Sequence, residues 1–242
     1  FRRTNESTIK QHYPLPNIKH VLEKMKKAKF FSAFDSNSAF WQIPTADCTM
    51  NITAVQFPWG RYAFTTMPMG LQQASATYQR IMDRILMGTS DFAVGYLDDI
   101  IAFSETWQQH LLDVAIILDR LGGAGLTLRP EKTFIGLPEI HALGHIVDAK
   151  GTRPDPKRLQ PFLKMAFPEA IEELEHWVGL IRWFSSHIPD CALLLQPMQQ
   201  RLNCKTTGTP SAEELKVFRK VNAILIDDGG IVLKRPDWEK PF

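Results

Sequence analysis

Over residues 73–86 the apolar positions recur at helical spacing, with Ala76, Tyr78, Ile81, Met82 and Ile85 on one stripe. Residues 105–121 repeat the pattern through Leu111, Leu112, Ala115, Ile116 and Leu118, so two amphipathic helices are predicted. Gly122-Gly123 reads as the stop of the second; a Gly-Gly-Ala-Gly string can also cradle phosphate, but after a helix it reads as a C-cap. Between the two helices the period changes. The runs Phe92-Ala93-Val94-Gly95 and Ile100-Ile101-Ala102-Phe103 favour strands and flank Tyr96-Leu97-Asp98-Asp99, which predicts a hairpin with two adjacent aspartates at its tip.

Upstream, residues 1–16 lack periodicity and end in Pro14 and Pro16, an extended lead-in. Asn17 reads as the N-cap of a helix through Val21, Leu22 and Met25 whose other face is lysine-rich. KFFSAFD is a strand arriving at Asp35, and 52–57 with 62–66 form a hairpin around Pro58-Trp59-Gly60. Downstream come short strands at 126–128, 133–137 and 142–147, then a proline-rich boundary at 151–156. Residues 155–203 read as helices with an apolar face of Leu174, Trp177, Val178, Ile181 and Trp183, followed by a linker at 206–210, a helix at 211–226 and a strand at 230–233. Without regular βαβ spacing, this is an α+β chain with a mixed or antiparallel sheet.

Composition narrows the picture little. The chain has 242 residues, 44% hydrophobic and 22% charged, ordinary for a globular protein with one good core or two small ones. The net charge of +2 permits a polyanionic partner. Basic residues gather at 19–29, 153–164 and 234–240, with Phe162, Trp177, Trp183 and Trp238 interleaved; solvated helix faces give the same pattern. Cys48, Cys191 and Cys204 lack CxxC spacing, so buried thiols in a reducing compartment are expected, with neither a disulfide frame nor a zinc site. No apolar run approaches the roughly 18 residues of a membrane span and no signal-like N-terminus is present, so an intracellular, non-membrane protein is expected. A chain beginning at Phe1 reads as a piece of something longer.

Adjacent carboxylates repel unless water or a dication lies between them. A pair alone is weak: Asp227-Asp228 is a second one with no such setting. What adds weight to Asp98 and Asp99 is Asp35, presented at the end of an apolar strand just before a short helical segment. Three carboxylates on neighbouring strand ends suit two Mg²⁺ ions, which want oxygen ligands and leave positions for phosphates. Such an arrangement serves in-line phosphoryl displacement, and a nuclease, a polymerase and a phosphatase are all compatible with it.

The runs FSAFDSNSAFWQIP, FTTMPMGLQQASATYQRIM, YLDDIIAFSETWQQHL, GLTLRPEKTFIG and ALGHIVDAKGTRPDPKRL resemble, in order and spacing, the blocks of reverse transcriptases, most of all the gypsy class of LTR retrotransposons. The likeness extends through FRRTNESTIKQHYPLP at one end and VGLIRWFSSHIP and KRPDWEKPF at the other. It implies a right-hand polymerase fold: partial fingers and palm over 1–150, a helical thumb over 151–205, and the start of a connection over 206–242. It implies that Asp35, Asp98 and Asp99 bind two Mg²⁺ ions, Mn²⁺ being an alternative, and that a primer 3′-hydroxyl attacks a deoxynucleoside triphosphate. It further implies that Lys132 stands near the leaving pyrophosphate as a proton donor, that Arg2 pairs with the triphosphate, and that Phe40 excludes a ribose 2′-hydroxyl by bulk. Met69, Gly70 and Gln73 match the block beneath the incoming base and template, and Leu143, Gly144 and His145 match the primer grip. The implied partners are an RNA or DNA template with its primer, deoxynucleoside triphosphates, and the remaining fingers, ribonuclease H and integrase parts of a polyprotein.

Several positions depart from the family pattern. Gln73-Ala74-Ser75 replaces Asn-Ala-Pro, Met69 and Tyr78 replace phenylalanines, and Ser185-Ser186-His187 stands where arginines are usual. A catalytically silent nucleic-acid-binding or scaffold module descended from such an enzyme is therefore the alternative, and another two-metal phosphotransferase is the third reading.

Overall fold

Five of the six residues of KFFSAFD after its lysine are apolar or small, and in the computed structural model they become the central strand of a sheet. The structure describes residues 1–163, 165–206, 208–227 and 233–234, and the chain divides into two units, Phe1–Ile140 and His141–Phe242.

The first unit opens with α1 (Arg2–Glu6) and an extended stretch, so the expected lead-in carries one short helical turn. Helix α2 (Ile18–Lys24) starts where Asn17 accepts from Lys19 N at 3.0 Å, as its sequence requires. Strand β1 (Phe30–Asp35) follows, then the short α3 (Asp47–Met50) and a hairpin of β2 (Val55–Phe57) and β3 (Gly60–Tyr62), shorter than the pattern implied because 51–53 is helical. Helix α4 (Ala74–Ile85), β4 (Ala93–Tyr96), β5 (Asp99–Ser104) and α5 (Trp107–Gly123) form where two helices and a hairpin between them are expected. Helix α5, however, buries His110, Asp113, Val114, Ile117 and Leu121, whereas Leu111, Leu112, Ala115, Ile116 and Leu118 of the expected stripe are exposed. Strand β6 (Phe134–Leu137) completes a sheet of order β4-β5-β1-β6, antiparallel at each recorded pairing. Residues 126–128 contribute only a single bridge, Ser36 to Leu128.

Helix α5 ends at Gly123, within the expected glycine pair, with Ala124 as its C-cap and Gly125 beyond it left-handed at φ +71°. Leu126 N donates to Leu121 O and Gly125 N to Gly122 O, both at 2.9 Å, the paired bonds that satisfy the last carbonyls of a helix. Phe34, Ile100 and Ala102 of the sheet pack with Tyr78 and Met82 of α4 and Val114, Ile117 and Leu121 of α5. Strand β5 is buried on both faces beyond Asp99, hence its unbroken apolar run.

One polar knot lies inside this unit. His110, fully buried, meets Ser32 Oγ through Nε2 at 2.7 Å and Ser104 Oγ through Nδ1 at 2.9 Å, while Ser104 donates to Asp113 at 2.7 Å. Because Ser104 gives its proton to a carboxylate, it accepts from Nδ1, which leaves Nε2 of the neutral imidazole as the acceptor for the Ser32 hydroxyl. Burial holds the His110 pKa below its ordinary 6.5 despite the opposing charge of Asp113. The unfolded chain therefore takes up this proton first, so the stabilisation is complete above pH 6.5 and is lost as pH falls below it. Thermal melts from about pH 7.5 to 5.5 are expected to show falling stability, with a shallower decline in His110→Gln; an unchanged slope would refute the assignment.

A turn at Leu143-Gly144 splits the strand expected at 142–147 into β7 (Glu139–Ala142), whose first two residues close the first unit, and β8 (His145–Asp148) of the second. Both turn residues have positive φ, +53° and +81°, the geometry of a two-residue hairpin loop. Instead of a proline-rich boundary, 151–154 forms β9 (Gly151–Pro154), paired antiparallel with β8. Helices α6 (Pro156–Leu163), α7 (Ile171–Trp183), α8 (Cys191–Leu194), α9 (Gln196–Asn203) and α10 (Ala212–Asp227) follow, and β10 (Leu233–Lys234) pairs with β9 to give a sheet of order β10-β9-β8-β7. Trp177, Val178 and Ile181 of α7 pack with Val217, Phe218 and Val221 of α10, so the helix beyond the linker shares the core of the helices before it. Asp228, Trp238 and the rest of 235–242 lie outside the described residues, as does the side chain of Phe162. Among the described residues no helix is long and apolar enough to cross a membrane.

Candidate nucleotidyl-transfer site

The antiparallel register of β1 and β5 sets Asp35 directly opposite Asp99, so their side chains leave the same face of the sheet. Ser36 N donates to Asp98 O at 3.0 Å and extends the pairing one step into the turn. Tyr96 pairs with Asp99, leaving Leu97 and Asp98 as a two-residue loop with Leu97 left-handed at φ +54°. Asp98 and Asp99 are exposed, whereas Asp35 is largely sunk at the rim, its side chain 13% accessible. The hairpin thus brings all three expected aspartates to one rim of the first sheet.

The rim is not a closed cage. Among the described residues no three acidic, histidine or cysteine side chains are grouped to hold an ion. Lys132 Nζ lies 3.0 Å from Asp35 Oδ2 and Arg129 Nε 3.7 Å from Oδ1, so two side-chain cations cover the carboxylate. Backbone pairing also ties this region, Arg129 N donating to Asp35 O at 2.9 Å. The donor set is all carboxylate oxygen, the chemistry Mg²⁺ takes, and the Lys132 ammonium sits on one of the three carboxylates; the residues fit such a metal in kind. Arg129 had no sequence signal beyond its charge.

Beneath the rim lies Tyr78, fully buried, its ring edge-on to Phe40 at 5.7 Å and 89°. Burial raises its pKa, Asp98 and Asp35 push the same way, and the nearby Ser36 hydroxyl opposes them. Ser36 Oγ and Tyr78 OH are close enough to influence each other, yet neither meets hydrogen-bond geometry with a partner. Phe40 itself is half-buried in the short helical segment Ala39–Gln42.

The remaining expected residues of this unit fall into two places. Asn5 of α1 donates to Gly70 O at 2.8 Å and accepts from Gln72 N at 2.9 Å, which seats the helix bearing exposed Arg2 beside exposed Met69 and Gly70. Gln73 turns to the lead-in, where its amide donates to Gln11 O at 3.1 Å and accepts from Gln11 N at 2.9 Å. In the second unit, the Leu143-Gly144 turn is flanked by the Trp183 indole and the Arg158 guanidinium, both exposed residues. His145 is buried, its ring 5.5 Å from Phe184 and 5.3 Å from His187, so it faces the interior and what the turn presents is backbone and Leu143. His141 pairs with Asp155 at 2.9 Å, which also accepts from Lys157 N at the start of α6.

A family model described as reverse transcriptase (RNA-dependent DNA polymerase) matches residues 1–147. Among curated proteins, the retrovirus-related Pol polyprotein from transposon 297 of Drosophila melanogaster is 33% identical over 244 residues, covering 100% of this chain and 23% of the relative. The Pol polyprotein from transposon gypsy of the same organism is 30% identical over 254 residues, covering 100% and 24%. The chain thus spans about a quarter of the length of the curated relatives it matches. A foamy viral protease-reverse transcriptase solved in complex with double-stranded DNA superposes with a TM-score of 0.88 at 18% identity, over 98% of this chain and 42% of that one. A second such structure gives 0.87 at 19% identity, over 100% and 50%. At that identity the superposition speaks for the fold, and the family match over more than half the residues speaks for descent: the chain belongs to the reverse transcriptase family.

Proposed function

We propose that the chain is the polymerase core of an RNA-directed DNA polymerase that extends a primer with deoxynucleotides. The observation that carries the proposal is the register of β1 against β5, which opposes Asp35 to Asp99 and places Asp98 in the adjoining turn. Asp35, Asp98 and Asp99 would hold the two Mg²⁺ ions. When bound, such ions supply charge neutralisation and activation of a hydroxyl for in-line attack on phosphorus.

The chain's own residues supply position and charge. Arg2 offers a planar fork of donors for the triphosphate, and the apolar Met69 beside Gly70 offers a platform for a base. Lys132 holds a proton within reach of the acidic rim, the place from which a leaving pyrophosphate is protonated. In the second unit Arg158 and Trp183 combine a cation with an exposed ring, the pairing that tracks a phosphate backbone and bases. The foamy viral relatives in complex with DNA or an RNA/DNA hybrid have this fold, which supports a primer–template as the partner here.

The test is extension of a labelled DNA primer on an RNA template with Mg²⁺ and deoxynucleotides, abolished by chelation. Binding of primer–template without extension at any Mg²⁺ or Mn²⁺ concentration would establish the silent, nucleic-acid-binding alternative instead. A narrower expectation concerns the cation on Asp35. Lys132→Ala removes the competing ammonium, so Mn²⁺ affinity should rise a few-fold, about the worth of a half-exposed ion pair, while the extension rate falls for want of the proton donor. If both quantities fall together, Lys132 has no competing role.

A further inference from the structure

The turn that carries Asp98 is braced by a side chain that phosphoryl transfer does not use. Gln79 of α4 is fully buried, at a position on an otherwise apolar face. Its Oε1 accepts from Leu97 N at 2.8 Å, and its Nε2 donates to Gly95 O at 2.9 Å and to Asp83 Oδ1 at 2.8 Å. One amide therefore spans the end of β4 and the turn beyond it. Its orientation is unambiguous, because the Leu97 N–H can only donate and a carboxylate can only accept. Asp83 is held in turn by Tyr13 OH at 2.5 Å, and Arg80 lies over the Tyr13 ring at 5.2 Å.

Two features explain why a brace belongs here. Leu97 is left-handed, a conformation an L-residue keeps only when its surroundings impose it. Gly95 allows the helix close enough to impose it: a Cβ at that position would lie 3.0 Å from Leu86 Cδ1 and 3.6 Å from Met82 Cβ. Helix α4 thus sits against the strand, and a glutamine can reach from one to the other.

We infer that Gln79 is the positioning residue of the Asp98-Asp99 turn, with Asp83 and Tyr13 orienting its amide. The inference rests on the reading of these aspartates as metal-binding. Without the amide, the Leu97 N–H and the Gly95 carbonyl lose their partners, the left-handed residue relaxes, and Asp98 leaves its place opposite Ser36.

The inference is tested first without catalysis. In the wild-type chain the Leu97 amide is expected to be protected from hydrogen exchange, and Gln79→Leu, close in bulk, should speed its exchange about tenfold while the β5 amides of Ile101 and Ala102 keep theirs. Mn²⁺ affinity read by electron paramagnetic resonance should fall about tenfold in the same variant, and kcat of primer extension should fall with KM for deoxynucleotide and primer–template within about twofold. Gln79→Glu keeps an acceptor for the Leu97 N–H but cannot donate to Gly95 O and repels Asp83, so its losses should lie between wild type and Gln79→Leu; adding Asp83→Asn supplies a donor and should recover part of them. Tyr13→Phe, away from the core, should quicken Leu97 exchange by only about twofold. Unchanged Leu97 exchange in Gln79→Leu overturns the inference, as does faster exchange with wild-type Mn²⁺ affinity and kcat. Failure of the metal-binding reading looks different: Mn²⁺ affinity would then be indifferent to Asp98→Asn while Leu97 exchange still answered to Gln79→Leu.

Discussion

Asp98→Asn is expected to reduce primer extension on the order of 10³-fold or more while leaving the thermal midpoint nearly unchanged. Both halves follow from where Asp98 sits. It is exposed in a two-residue turn, its carbonyl rather than its side chain makes the bond to Ser36, and asparagine is at home in turns, so the fold loses almost nothing. The site, however, loses one of three formal charges. An amide oxygen is a far weaker partner for a dication than a carboxylate, and its neighbours cannot compensate: Asp35 is already engaged by Lys132 and Arg129. Asp119→Asn, on the outer face of α5, removes the same charge elsewhere and should leave extension within about twofold. Comparable extension by Asp98→Asn and Asp119→Asn would dismiss the turn from catalysis.

How far the sequence spoke depended on which kind of contact was at issue. Helix α4 is legible because its apolar stripe faces the sheet, and the Asp98 hairpin because two strand-forming runs flank polar turn residues. Helix α5 is legible as a helix but not in its facing, since Val114, Ile117 and Leu121 enter the core while Leu111, Leu112, Ile116 and Leu118 stay exposed. Local backbone choices were less so. The Leu143-Gly144 turn interrupts a stretch that reads as one strand, and Leu143 takes a left-handed conformation that its side chain does not advertise. The end of α5 falls at Gly123, within the expected glycine pair, but the left-handed position that closes it falls on Gly125, which a string of three glycines does not single out. Within the site, the sequence named the three aspartates, but the opposition of Asp35 to Asp99 is a matter of strand register, which composition does not encode. Arg129 and Gln79 escaped notice for a related reason. Each acts on a residue distant in sequence, and the only hint of Gln79 was a polar residue on the buried side of a helix.

Phe40→Ala is expected to admit ribonucleotides, raising the ratio of kcat/KM for a ribonucleotide over its deoxynucleotide by roughly 10²-fold, in the range that steric exclusion of one hydroxyl gives in a shaped pocket. The ring is suited to exclusion because it is not free to swing. It follows the strand of Asp35 by a short helical segment, is half-buried, and meets the fully buried Tyr78 edge-on at 5.7 Å. Truncation also removes packing and should cost about 2–3 kcal/mol of stability, less than for a wholly buried phenylalanine, so activity is compared at a temperature well below the variant's midpoint. Phe40→Leu separates the two effects. It retains most of the packing but lacks the planar reach of the ring, so its selectivity should lie between wild type and Phe40→Ala with little loss of stability. If sugar selectivity in both variants equals that of wild type, Phe40 is a core residue and exclusion of the 2′-hydroxyl belongs to another side chain. If Phe40→Leu matches wild type in selectivity while Phe40→Ala does not, bulk at this position rather than the aromatic ring is what the ribose meets.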